Sequence, residues 1–176
     1  MKTFIIVTDT CSDLGIDLRE KHDIDYIPMT VSYDGKSIPA SLDFEDISFK
    51  DFYKMMDNGT RFTTSQVTKQ DYVKRFEKYA NDGCDILCIA CSSALSASIN
   101  ASLQAREDVM KRYPDTKIIC IDSLMSGLGL GIMCIMASNL REQGKTIEET
   151  ANFIEKHKLN IHQFGTVNEL KFLKLS

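Results

Sequence analysis

The sequence predicts an α/β fold in which a mainly parallel sheet is flanked by helices. Three stretches carry that expectation: residues 3–8, 85–90 and 117–121 are short and apolar without alternation, as strands covered on both faces should be. Each runs into a polar loop and then a helical pattern, and strand–helix alternation of this kind implies parallel pairing. A chain of 176 residues suits one domain with a sizeable core, and 43% hydrophobic with 26% charged residues is ordinary for a globular protein.

Taken in order, the first strand empties into Asp9-Thr10-Cys11-Ser12-Asp13, a polar loop that leads to a helix over 14–22. Residues 26–31 read as a second strand, with Pro28 marking an edge or an end. Asp34-Gly35 is a turn signal that folds Lys36-Ser37-Ile38 back as a hairpin. Ser48 caps a helix that Asn58-Gly59 ends, and Phe49, Phe52, Tyr53 and Met56 form its apolar stripe. Residues 60–67 make a hydroxyl-rich connection, after which Thr68 caps a helix running through Ala80 that Gly83 stops. The strand over 85–90 leads through Cys91-Ser92-Ser93-Ala94 to a helix over 95–112 bearing the small residues Ala97, Ser98, Ala101, Ser102 and Ala105. The strand over 117–121 ends in Asp122-Ser123, and a long helix, apolar nearly all round, follows over 124–143. A helix of that kind belongs at the centre, with Gly127, Gly129 and Gly131 marking tight contacts. Thr146-Ile147-Glu148-Glu149 is a capping box opening a helix to His157; residues 161–167 read as a last strand and 168–174 as a last short helix.

Net charge is −4 with no basic run, which argues against nucleic acid or an anionic membrane as main partner. The N-terminal apolar run is too short for a signal peptide, and no stretch approaches a transmembrane length. The expectation is a cytoplasmic protein without stable membrane anchoring. Six cysteines fit that setting as small hydrophobes. Cys88 and Cys91 form a CxxC, but on a strand they point to opposite faces and no second pair completes a site.

In open α/β sheets, ligands bind where strands end and helices begin. Hydroxyl-rich sequence gathers at such places: residues 8–12, 63–66, 92–98 and Asp122-Ser123. Loop 92–98 feeds a helix start, where free N–H groups and the helix dipole favour an anion; the competing reading is that Ser92 or Ser93 simply caps the helix. Neutral donors with few cations suit a carboxylate better than a phosphate. A serine hydrolase needs a base beside its nucleophile, and none of His22, His157 and His162 lies in a serine motif. The spaced glycines 127, 129 and 131 imitate a dinucleotide fingerprint, but Ile132 takes the third position, so they read as packing glycines. Asp9 and Asp13 after the first strand suggest an alternative, a small-molecule phosphatase-like enzyme with an aspartyl nucleophile and Mg²⁺, although their spacing departs from the usual paired aspartates.

Taken together the segments resemble the DegV family of bacterial fatty-acid-binding proteins. Val7-Thr8-Asp9-Thr10-Cys11-Ser12-Asp13-Leu14 resembles its opening motif and Thr63-Thr64-Ser65-Gln66 its second. Ser92-Ser93-Ala94-Leu95-Ser96 resembles the third, and Ile121-Asp122-Ser123 with the glycines 127–131 the fourth. Phe164-Gly165-Thr166-Val167 with residues 170–173 resembles the segment leading out of the first lobe. The resemblance implies a carrier and not an enzyme, with no cofactor: one long-chain fatty acid is held and presented to a fatty-acid kinase. Carried over motif by motif, Thr64 and Ser96 hydrogen-bond the carboxylate, Ser65 and Ser93 support them, and Thr63 belongs to the same loop.

Two departures accompany it. Ala97 brings a Cβ where the family motif has glycine, which narrows the head-group cup, while Ser98 keeps a hydroxyl. The family also has a second lobe of comparable size. Residues 1–165 therefore read as the first, α/β lobe, and 166–176 as the start of a connection to a second lobe absent from this sequence. Such a lobe exposes an apolar face and is expected to self-associate through it.

Overall fold

Four parallel strands form the central sheet of the computed structural model, which describes residues 4–166. They are β1 (Phe4–Asp9), β2 (Ile24–Ile27), β6 (Asp85–Ala90) and β7 (Ile118–Asp122), in the order β2-β1-β6-β7. Their side chains alternate between two cores, as the period of two requires. Ile6, Leu87 and Ile89 face one side with Leu130, Met133 and Ile154; Val7, Ile86 and Cys88 face the other with Tyr72, Phe76 and Val109. Cys91 packs in the first core and Cys88 in the second, so the CxxC cysteines do point apart.

The helices are α1 (Ile16–His22), α2 (Phe49–Asp57), α3 (Lys69–Asn81), α4 (Ser98–Arg112), α5 (Gly127–Glu142) and α6 (Ile147–His157). α5 and α6 cover one face and α3 and α4 the other. The caps at Ser48, Thr68 and the box at Thr146 with Glu149 all form. α5 is central as its composition implies. A Cβ on Gly131 would meet the Ser12 carbonyl oxygen at 2.5 Å and Leu14 at 2.9 Å, so this glycine lets the helix lie against the β1–α1 loop.

The run over 26–31 is not one strand. β2 ends at Ile27, and β3 (Thr30–Tyr33) begins beyond Pro28-Met29 in a separate antiparallel sheet with β4 (Lys36–Pro39) and β5 (Thr63–Ser65), in the order β4-β3-β5. Pro28 has no N–H to continue the ladder. The Asp34-Gly35 turn joins β3 to β4 with φ of 46° and 73°, the left-handed pair a tight hairpin requires. β5 was hidden in the hydroxyl-rich connection; it is three exposed residues long and only its pairing with β3 makes it a strand. The helix expected from Leu95 begins at Ser98, because residues 92–96 form a turn instead.

Among the described residues the last strand, expected over 161–167, does not form. Residues 161–166 carry no regular structure, because this segment lies over the start of α5, where the Gln163 side chain hydrogen-bonds both the N–H and the carbonyl of Ser126. The expected helix over 168–174 and nearly all of the connection over 166–176 lie outside the described residues.

Candidate functional site

The strand order reverses direction between β1 and β6: β2 lies on one side of β1, whereas β6 and then β7 lie on the other. Crevices at such switch points, beyond the carboxyl ends of the strands, are where open α/β sheets bind ligands. Asp9 closes this one from below. It is fully buried, and its two oxygens accept the N–H of Cys11 at 3.0 Å and of Cys91 at 2.8 Å, clamping the β1 and β6 exits together. Burial raises its pKa above the usual carboxylate value, against the lowering effect of those hydrogen bonds. Above this clamp the Cys11 thiol contacts Cys91 and lies 3.4 Å from the Met29 sulfur. Its pKa is raised by the Cys91 hydrogen bond first and by burial second.

Asp13 lies elsewhere, exposed, in a left-handed conformation (φ 51°) beside Gly127. The two aspartates of the phosphatase-like alternative thus have separate tasks, one an internal clamp and the other a turn. Among the described residues no group of three or more His, Cys, Asp or Glu is placed to hold a metal ion.

The hydroxyl loops divide into ties and exposed groups. Thr8 donates to the Ile89 carbonyl at 2.8 Å within the sheet. Thr10 accepts from the Met29 N–H at 3.0 Å and donates to the Ala40 carbonyl at 2.9 Å, fastening the small sheet to the main one. Ser92 is buried and neither it nor Ser93 caps α4: the Ser92 hydroxyl accepts from Ala94 N–H, and its carbonyl accepts from Leu95 and Ser96. Ser96 takes the cap-like position, accepting from the Ser98 N–H at 3.2 Å.

Ser98 brings the two loops together. Fully buried, it accepts the Val67 N–H at 3.2 Å and lies 2.9 Å from the Ser96 hydroxyl, so the chain leaving β5 is held against the 92–98 loop. Thr63, Thr64 and Ser65 stand exposed on that strand, and Ser96 is half-buried and joined through Ser98 to Val67, just beyond it. Ser93 turns the other way: its N–H and hydroxyl engage Asp122, whose carboxylate also accepts the Leu124 N–H. Burial pushes the Asp122 pKa up, but these hydrogen bonds and nearby Lys158 outweigh it and hold the carboxyl below its ordinary value. Asp122 is therefore charged, and a second carboxylate is disfavoured beside Ser93.

Spacing alone gave no sign of the Asp9 clamp or the Thr10 latch, and it did not separate Ser98 from Ser102 in the same small-residue stripe. Ser98→Ala leaves the buried Val67 N–H without its acceptor and is expected to cost about 1–3 kcal/mol, measurable by urea unfolding.

A family model described as "Uncharacterised protein, DegV family" matches residues 3–176. A DegV domain-containing protein of Clostridium perfringens is 35% identical over 174 residues, covering 99% of this chain and 60% of that protein. One from Clostridium acetobutylicum is 39% identical over 155 residues, covering 88% of this chain and 53% of the relative, so the chain spans just over half the length of these relatives. Among solved structures, a DegV family protein of Thermus thermophilus described for its fatty-acid binding superposes with a TM-score of 0.84 at 25% identity, over 99% of this chain and 60% of that one. A Thermotoga maritima protein whose structure is described as revealing fatty-acid-binding function matches at 0.79 and 29% identity, over 91% of this chain and 56% of that one. With its switch-point crevice, its paired hydroxyl loops and a family match along nearly its whole length, this chain belongs to the DegV family.

Proposed function

We propose that this chain binds a long-chain fatty acid, with the carboxylate hydrogen-bonded by Thr64 and Ser96. Ser65 and Thr63 extend the same donor strand, while Ser93 fixes the loop through Asp122. The observation that carries this reading is the Ser98 tie, which holds β5 and the 92–98 loop on either side of one crevice. Neutral donors at a switch point suit a carboxylate, and the fatty-acid-binding relatives from Thermus and Thermotoga point to the same ligand. A buried acyl chain gains about 0.8 kcal/mol per methylene, so the tail supplies affinity and the hydroxyls supply orientation. In this reading the protein is a carrier and not an enzyme, and it presents the carboxylate to a fatty-acid kinase. Exposed apolar side chains near the crevice, Leu95 and Leu128 among them, support self-association or docking of a further surface there.

The test is mass spectrometry of an organic extract of the denatured protein, followed by fatty-acid titration of Thr64→Ala and Ser96→Ala. A hydrogen bond to a charged group contributes about 1.5–3 kcal/mol, so each variant should bind roughly ten- to a hundred-fold more weakly with its thermal unfolding nearly unchanged. Unchanged affinity in both would remove the assignment.

A further inference from the structure

We infer that Cys11 and Cys91 form a reversible oxidation site, at which hydrogen peroxide joins the two thiols as a disulfide on the floor of the switch-point crevice. The pair links two segments distant in the chain, one leaving β1 and the other leaving β6. Two cysteines can be bridged without moving the backbone only where their Cα atoms lie within about 7 Å and their side chains converge. Here one carboxylate, that of Asp9, holds both N–H groups, at 3.0 and 2.8 Å. Both side chains turn into the same apolar core, where the thiols hydrogen-bond each other. Met29 backs the arrangement, its sulfur 3.4 Å from that of Cys11.

The surroundings give the two sulfurs different roles. The Cys91 sulfur receives the Cys11 S–H and the Ser126 hydroxyl, and these favour its thiolate against the opposing effects of burial and the Asp9 charge. Ser126 also opens α5, whose N-terminal dipole favours negative charge. Cys11, kept protonated by its bond to Cys91 and by burial, is the proton donor. The Cys91 thiolate attacks one peroxide oxygen: an S–O bond forms, the O–O bond breaks, and the departing hydroxide takes the Cys11 proton to leave as water. The Cys11 thiolate then attacks the Cys91 sulfur. The S–S bond forms, the S–O bond breaks, and the second hydroxide leaves as water with the proton Cys91 first gave up. Two thiols are oxidised and one peroxide is reduced. Cys91 is 1% exposed and Cys11 is half-buried, so access suits an oxidant near the size of water and not a bulky disulfide.

A second thiol pair is an internal control. Cys88 and Cys120 are opposed on β6 and β7, and they too hydrogen-bond. Neighbouring strands lie about 4.8 Å apart, whereas a disulfide draws its Cβ atoms to about 3.8 Å, so that bridge would pinch the sheet.

The folded, unaltered chain is treated with hydrogen peroxide, alkylated in urea and digested with trypsin without reduction, and fragmentation mass spectrometry locates any linked residues. The expected result is loss of two of the six thiols, with Cys11 linked to Cys91 and the link reversed by dithiothreitol. In Cys11→Ser the reaction should stop at a sulfenic acid on Cys91, which dimedone traps. A link between Cys88 and Cys120, a link between two chains, oxidation confined to single cysteines, or six unchanged thiols overturns the inference. Dimedone found on a cysteine other than Cys91 overturns it as well. The mapping needs no substitution, so it stands even if Cys11→Ser does not fold.

Discussion

Asp9→Asn is expected to destabilise the protein by about 2–3 kcal/mol, a fall in Tm of roughly 4–12 °C for a chain of this size. The substitution keeps the shape but not the polarity. Both Asp9 oxygens accept backbone N–H groups, one from Cys11 and one from Cys91, and an amide must turn its own NH₂ toward one of those donors. Buried donors left facing each other retain the full desolvation cost, and here they sit where two strands leave the sheet. The same group has a pH signature. Because burial raises its pKa in the folded state, the folded protein binds a proton more readily than the unfolded chain, whose value is near 3.8. The stability linked to that proton is present below the unfolded value and is lost as pH rises through the folded one. Urea unfolding between pH 3 and 7 should show that contribution in the native sequence and not in Asp9→Asn. A variant with unaltered stability and an unaltered pH profile would show that the clamp contributes nothing.

Gly131→Ala is expected to destabilise by about 1–3 kcal/mol, the opposite sign from the usual effect. In a helix interior, alanine is ordinarily favoured over glycine by about 1 kcal/mol. At this position the new methyl would lie 2.5 Å from the Ser12 carbonyl oxygen, a backbone atom, and 2.9 Å from Leu14, a side chain of the first core. The helix must move away from the β1–α1 loop or the loop must shift, and the loop carries Asp9 and Thr10. Gly129→Ala is the informative companion. The nearest atoms its methyl would meet belong to the Gln163 side chain, which can move aside at the expense of its hydrogen bonds to Ser126, whereas a backbone oxygen cannot, so its cost should be smaller. Thermal unfolding of the two variants side by side tests the assignment, and equal effects would show that the contact with Ser12 is not what requires glycine.

Much of the main sheet could be read directly, for a physical reason. Strands covered on both faces must be apolar throughout, so residues 85–90 could hardly be anything else, and the caps at Ser48, Thr68 and Thr146 depend only on neighbours a few positions away. The small sheet was half hidden. Its hairpin turn is local and legible, but β5 is a polar tripeptide made a strand by β3, which lies about thirty residues earlier. The final segment misled for the opposite reason: residues 161–167 have strand-like composition, yet Gln163 finds its partners at the start of α5. The hydroxyl loops were visible as a group, whereas their division into ties and exposed donors was not. Thr10 and Ser98 hold backbone N–H groups that become neighbours only when the fold closes.

Residues 30–65 leave the main body at Met29 and rejoin it at Val67, and neither apolar core includes a single residue between those points. The excursion is fastened by polar contacts: Thr10 to Met29 and Ala40, Arg19 to Asp43, Tyr26 to Leu42, and Ser98 to Val67. Water competes for such bonds far better than it competes for a packed core. The two halves of the crevice therefore differ in mechanical character. Ser96 rides on a rigid chassis whose integrity is set by burial, and Thr64 rides on a hinged panel whose seating is set by a few hydrogen bonds. A ligand spanning both would add its own binding energy to those latches, so an occupied protein should differ from an empty one chiefly in how firmly that panel is shut.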